Sequence, residues 1–189
     1  MVVAITMRRA AFLAFSFLTA AGIVCAQVPG VPNFHKVDDR FYRGGQPTSE
    51  GFRNLAAAGV KTVIDLRNIG EHSQAREESW VESDGMRYIS VPMRELSAPS
   101  NAQVARVLAI LDDPSTGPVF VHCRRGSDRT GTVAACYRIS HDHWKNRQAL
   151  KEARGFGMSM FERGMQHYVL RYRESGAAAS NSVATGPQQ

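Results

Sequence analysis

Of 189 residues only three are cysteine, at positions 25, 123 and 136. That is too few, and too scattered, for a disulfide scaffold or a four-ligand zinc site. No apolar stretch reaches the ~20 residues of a membrane-spanning helix; the longest, Ala10–Val24, has 15. Neither sign of charge dominates, with 23 Lys and Arg against 17 Asp and Glu. The basic residues are dispersed, without the aromatic interleaving of a nucleic-acid surface, so no nucleic-acid partner is expected. There is no internal repeat. The length allows one domain, and 43% hydrophobic with 21% charged residues is globular composition. A net charge of +6 suits an anionic ligand but does not choose among anions.

The first 26 residues read as a leader to be removed. Arg8 and Arg9 precede the apolar run, and Val24-Cys25-Ala26 offers small residues for cleavage before Gln27. Met7, just ahead of the arginines, is an alternative start to Met1. Export to a periplasm or the medium is therefore expected, with no membrane span kept after cleavage. The mature chain would have 163 residues and a charge of +4, since the leader takes two arginines with it.

Residues 27–40 carry Pro and Gly and read as an extended lead-in; 176–189 are uncharged and rich in small residues, and read as a disordered tail. Between them short apolar runs alternate with amphipathic segments. Strands are expected from Phe41, over 62–66, over 87–93 and over 118–122. Helices are expected after Thr48 or Ser49, near 74–83, from Ser100 or Asn101, after Thr130, around 146–153, and over a last segment carrying Phe161, Met165, Tyr168, Val169 and Tyr172. Strands alternating with helices predict an α/β fold with a central, mostly parallel sheet flanked by helices.

The chemistry concentrates in His122-Cys123-Arg124-Arg125-Gly126-Ser127-Asp128-Arg129-Thr130-Gly131. A cysteine ends a buried strand, five residues separate it from an arginine, and a helix opens directly afterwards. Backbone N–H groups converging at a helix N-terminus bind anions, and a thiolate nucleophile suits the same place. A guanidinium fork can hold two oxygens of a tetrahedral anion. Nucleophile, oxyanion cradle and positive clamp together specify attack on phosphorus.

This loop, with Phe41-Tyr42-Arg43-Gly44-Gly45-Gln46-Pro47 and Val63-Ile64-Asp65-Leu66-Arg67, resembles the cysteine-dependent protein tyrosine phosphatase superfamily, in its dual-specificity-phosphatase-like bacterial branch. The resemblance runs from about Phe41 to Glu174. It implies a 41–175 catalytic domain in which Cys123 forms a phosphocysteine intermediate and Arg129 binds phosphoryl oxygens. Thr130 would place its hydroxyl on the departing thiolate, and His122 would brace the loop. Arg124, Arg125, Gly126, Ser127 and Asp128 would complete the substrate-binding loop. No metal or other cofactor is implied.

The proton donor to the leaving group departs from the family pattern. The loop Val91–Ser97 lacks the usual aspartate, and Glu95 is its only carboxylate. Asp128 is the other candidate, because a Cys-x4-Asp-Arg-Thr loop is similar to that of myotubularin-type phosphoinositide phosphatases, where this aspartate is given the acid role. Its structural alternative is to pair with a loop arginine and hold the loop in shape. Arg124 and Arg125 beside the nucleophile favour a substrate with several phosphates, such as an inositol phosphate or phosphoinositide head group; phosphotyrosine or another phosphomonoester is the alternative. A phosphate-binding pseudoenzyme and a sulfurtransferase are further readings, which Cys123, Arg129 and Thr130 together disfavour. His141 and His143, two residues apart, do not share a helix face and predict no metal site. Cys136 is expected to pack in the core, too far from Cys123 for a disulfide.

Overall fold

The structure, a computed structural model, describes residues 27–173. The expected leader (1–26) and tail (176–189) lie outside these residues.

Among the described residues five strands form one sheet: β1 (His35–Lys36), β2 (Phe41–Gly44), β3 (Thr62–Asp65), β4 (Arg87–Ser90) and β5 (Val119–His122). Their order is β1-β2-β5-β3-β4. Only β1 runs antiparallel, against β2; the other pairings are parallel. The central strand β5 pairs Phe41 with Val119 on one side and Thr62 with Val119 on the other. All four residues of both β3 and β5 are buried, which is why they read as unbroken apolar runs rather than an alternation.

Six α-helices of the described residues cover the two faces: α1 (Ser49–Ala57), α2 (Gln74–Ser83), α3 (Asn101–Asp112), α4 (Asp128–His141), α5 (Asn146–Gly155) and α6 (Arg163–Arg171). One core joins Val63 and Phe120 of the sheet to Phe52, Leu55 and Val81 of α1 and α2. The other joins Ile64, Val119 and Val121 to Val104, Val107 and Leu111 of α3 and to Val133 and Cys136 of α4. Cys136 is free and buried, as expected. Ten consecutive residues of α4, Asp128 to Tyr137, are buried, because α5 and α6 close over its far side through Ala149, Leu150, Ala153 and Val169.

Local signals explain most boundaries. Thr48 caps α1 by accepting from Gly51 N at 3.0 Å. Ser100 and Gln103 form a reciprocal capping box at α3. The segment 27–40 supplies β1 and buries Val31 and Phe34 against the α1 face. Beyond β4 the chain stays paired, Val91 N donating to Asp65 O and Met93 N to Leu66 O; this continues the expected 87–93 strand past its regular part. One helix expectation is corrected. Phe161 precedes α6 and is 85% exposed, because the chain turns before the helical period begins, and Tyr172 follows the last helical residue with extended backbone.

Candidate active site

Cys123 follows β5 directly, and the loop from it to Asp128 closes at the first turn of α4. Two glycine positions make this possible. Gly126 has φ +74°, and a Cβ there would lie 2.3 Å from the carbonyl carbon of Gly44. A Cβ on Gly45 would lie 3.1 Å from the backbone of Arg125. The Gly44-Gly45 pair ending β2 is thus the surface against which the loop is pressed. Gly126→Ala is expected to cost ~2 kcal/mol or more, since strain and backbone overlap add, and to lower activity with it. Parallel urea denaturation and activity measurements check this; an unchanged midpoint would contradict it.

The loop is also held from beneath. Arg43, 1% exposed, donates to Gly126 O at 2.9 Å, and its guanidinium lies 4.8 Å from the Phe156 ring centroid. Burial pushes its pKa down to about 10, against the opposing charges of Glu152 and Cys123. At the strand end, His122 is wholly buried, stacks on Phe120, and places Nε2 3.0 Å from Glu77 Oε1. Glu77 also bonds Arg67 and accepts from Gln46 Nε2. Arg67 in turn donates to both oxygens of Asp65 at 2.9 Å. Burial alone would raise the Glu77 carboxyl; its contact with His122 and the Arg67 charge hold it below the ordinary range. Oxygen and nitrogen atoms of Asp65, Glu77 and His122 lie within 4.8 Å of one another, a spacing that could hold a metal. The Arg67 guanidinium, bonded to both carboxylates, already supplies the cation there.

A cavity of about 400 Å³ opens above the loop, lined by Cys123, Arg124, Arg125, Asp128, Arg129, Glu95, Leu96, Glu162 and Met165. Most of the sequence-predicted site residues meet here. A larger groove of about 1130 Å³, between α3 and α6, shares none of them.

Arg129 is 3% exposed and gripped by acids. Its Nη1 and Nη2 donate to Glu71 Oε1 and Oε2 at 2.7 and 3.1 Å, Nη1 also to Met93 O, and Nη2 also to Glu95 Oε1 at 3.1 Å. Nε–H alone has no protein partner among the described residues. A phosphoryl group needing two donors would take Nε–H and displace one carboxylate. Glu95, its side chain 49% exposed, is the easier to displace; Glu71 is 23% exposed and chelates. Burial would raise the Glu71 carboxyl, but hydrogen bonds from Arg129 and the Asn68 backbone hold it low. Glu95→Gln is accordingly expected to strengthen inhibition by inorganic phosphate by about three- to tenfold, consistent with one charge-assisted bond removed from competition. An unchanged inhibition constant would count against that competition.

Asp128 is also committed. Its Oδ1 accepts from Ser159 N and its Oδ2 from Arg125 Nη2, both at 2.8 Å. It thereby ties loop, arginine and the segment before α6 together. Arg124, exposed, has no such partner among the described residues. The Thr130 hydroxyl is buried without a hydrogen-bond partner among the described residues, Cys123 included. Ser127 is buried and its backbone carbonyl accepts from Gly131 N at 2.9 Å.

Glu71, Arg43 and Glu162 were not marked by sequence. Arg43 left one signal, a charge amid an apolar strand. Glu71 and Glu162 left none, since only the fold brings residues 52 and 39 positions from Cys123 and Arg129-facing loops together.

Comparison with known proteins agrees with this geometry. The family model described as DSP-PTPase phosphatase fused to NAD+ kinase matches residues 28–167. The dual specificity protein phosphatase TpbA of Pseudomonas aeruginosa is 31% identical over 147 residues, covering 72% of this chain and 61% of TpbA. The chain thus spans less than two thirds of that relative's length. The crystal structure of TpbA superposes with a TM-score of 0.67 at 28% identity, over 82% of this chain and 93% of the other. Inositol diphosphatase DSP5 of Arabidopsis thaliana is 28% identical over 111 residues, 57% of this chain and 53% of its own. Because the family match runs from before β1 into α6 and takes in the whole Cys123–Arg129 loop, the chain belongs to the DSP-PTPase phosphatase family, within the cysteine-dependent phosphatases.

Proposed function

We propose that the chain hydrolyses phosphomonoesters through a phosphocysteine on Cys123. The observation that carries the reading is the convergence of Cys123, the α4 N-terminus and the Arg129 fork on one cavity. The Cys123 thiolate attacks phosphorus as the ester P–O bond breaks and the leaving oxygen takes a proton. Water then attacks phosphorus, breaks the P–S bond, and releases inorganic phosphate and free Cys123. Arg129 and the loop N–H groups offset charge on the equatorial oxygens in both steps. Thr130, with its hydroxyl unpartnered beneath the loop, is available to the departing thiolate. The test is phosphate release by reduced protein from a panel of phosphomonoesters; no release from any of them overturns the reading.

Arg124 supports a preference for substrates bearing a second phosphate, because it lines the cavity free of a carboxylate partner. Arg125 supports it less, its guanidinium being paired with Asp128. TpbA's name speaks of protein phosphate and DSP5's of inositol phosphates, so both classes belong in the panel. A second reading, phosphotyrosine, is favoured by the exposed Leu96 at the cavity and by exposed Met160 and Phe161 next to Glu162. Arg124→Ala is expected to lower kcat/KM about tenfold on an inositol polyphosphate and less than threefold on a phosphotyrosine peptide, the difference expected of one charge-assisted contact. Equal losses would assign the second reading. Export before Gln27 belongs to the same proposal, supported by the basic pair and 15-residue apolar run ahead of the matched segment; N-terminal sequencing of protein from the extracytoplasmic fraction tests it.

A further inference from the structure

We infer that Glu162 is the proton carrier of the cavity, giving its carboxyl proton to the leaving oxygen and taking one from the attacking water. The inference rests on the phosphatase reading above.

Three carboxyl groups line the cavity with Cys123: Asp128, Glu95 and Glu162. An acid needs a proton and an oxygen free to point at substrate. Asp128 spends both oxygens on N–H donors, Ser159 N and Arg125 Nη2. Glu95 is half exposed to solvent, and in the resting site it is bonded to the Arg129 guanidinium, from which substrate would displace it. Glu162 differs from both. It is 4% exposed, and its Oε2 is buried without a hydrogen-bond partner among the described residues.

Its place in the chain does not explain that burial. Glu162 is the N-cap residue of α6, where a carboxylate ordinarily accepts from the first-turn N–H groups. Its side chain makes no such bond; only its backbone carbonyl serves the helix, accepting from Gln166 N at 3.0 Å. The side chain lines the cavity instead, beside Leu96. Leu96 adopts φ +57°, a conformation uncommon for a residue with a branched side chain. A backbone conformation of this kind thus stands on the cavity wall next to this carboxyl.

Electrostatics run in the same direction. Burial raises the Glu162 pKa, as do the charges of Asp128 and Glu95; Arg125 and the Leu96 N–H oppose them without cancelling them. Cys123, Arg124 and Arg129 are the other charged or titratable groups on the cavity wall. A buried carboxyl facing two acids favours its neutral, proton-donating form.

The proton count closes over a cycle. In the first step the S–P bond forms, the ester P–O bond breaks, and the Glu162 proton goes to the leaving oxygen. In the second, water gives its proton to the Glu162 carboxylate as its oxygen bonds phosphorus and the P–S bond breaks.

The experiment compares wild type, E162Q and D128N on an alkyl phosphate and on 2,4-dinitrophenyl phosphate, whose leaving group needs no proton. E162Q is expected to lose about 100-fold or more in kcat/KM, which reads the first step alone, on the alkyl phosphate, to stay within threefold in kcat/KM on the dinitrophenyl ester, and to lose the alkaline limb of the kcat/KM–pH profile. D128N is expected to lose activity on both esters alike, as a loop defect, and to keep that limb. Equal effects of E162Q on both esters, or a limb lost in D128N and kept in E162Q, overturn the inference. Infrared difference spectra give a readout independent of turnover. Wild type should show a protonated-carboxyl band near neutral pH that E162Q lacks, and its absence also overturns the inference. If wild type releases phosphate from neither ester but shows the band, the phosphatase reading fails while the assignment of Glu162 as a protonated cavity carboxyl is supported.

Discussion

Cys123→Ser is expected to lower phosphate release by about 10⁴-fold or more, the scale set by removing an enzyme's nucleophile, while leaving fold and phosphate binding in place. Serine is nearly isosteric, and Cys123 is 2% exposed inside a loop held by Arg43 and by Gly126 against Gly44, so the change removes reactivity and little else. An alcohol needs a base to become a nucleophile. No histidine or lysine lines the cavity among the described residues, and the adjacent His122 faces Glu77 on the opposite side of the strand. In the first step Glu162 is the proton donor, and both oxygens of Asp128 accept from N–H groups, so neither is placed to take the serine proton. The variant should therefore retain inhibitor-range affinity for phosphate and unfold at the wild-type temperature. Acid-quenched wild type incubated with substrate should carry a phosphate on the Cys123 peptide, and the variant should not. Substantial turnover by the serine variant would place the nucleophile elsewhere.

The unequal legibility of fold and site has physical causes. Strand β5 and the start of α4 are local matters: a β-branched run, a tight loop and a helix opening are set by neighbours in sequence. The same holds for the capping box at Ser100 and for the parallel sheet implied by alternating elements. Cys123 and Arg129, to which the proposal gives the roles of nucleophile and clamp, are legible together because they share one loop. The partners of Arg129 are not. Glu71 reaches it from the loop after β3 and Met93 O from the stretch after β4, and no spacing rule connects such positions. Asp128 illustrates a finer limit. Sequence allowed both a proton donor and a brace, and only the contacts to Ser159 N and Arg125 expose its bracing bonds. The pairing of Arg125 with Asp128, three residues on, is not legible for the same reason, since the loop's turn decides whether they meet. Phe161 fitted a helical period and yet lies outside α6, because periodicity sees apolar spacing and not where the chain turns.

Arg129→Lys is expected to reduce kcat/KM by about 10³-fold even though the charge is kept. The guanidinium serves four acceptor atoms at once, two on Glu71, one on Glu95 and the Met93 carbonyl, and still keeps Nε–H for a ligand. An ammonium is a point donor on a flexible stem and cannot reproduce that planar fork. If it chelates Glu71, it has too few protons left, in the wrong directions, for two phosphoryl oxygens. If it turns to the phosphate, the Glu71 carboxylate is left beside the site without its partner, repelling an incoming anion. Both outcomes act on the transition state, where the equatorial oxygens carry most charge, so the loss should appear chiefly in kcat; a lost preorganised donor alone costs ~3–4 kcal/mol at comparable sites. The double variant Arg129→Lys with Glu71→Gln separates these contributions. Removing the Glu71 charge should recover about tenfold in KM, since it relieves the repulsion, and should leave kcat low, since the fork is still absent. Recovery of kcat by the double variant would show that Arg129 acts by charge alone.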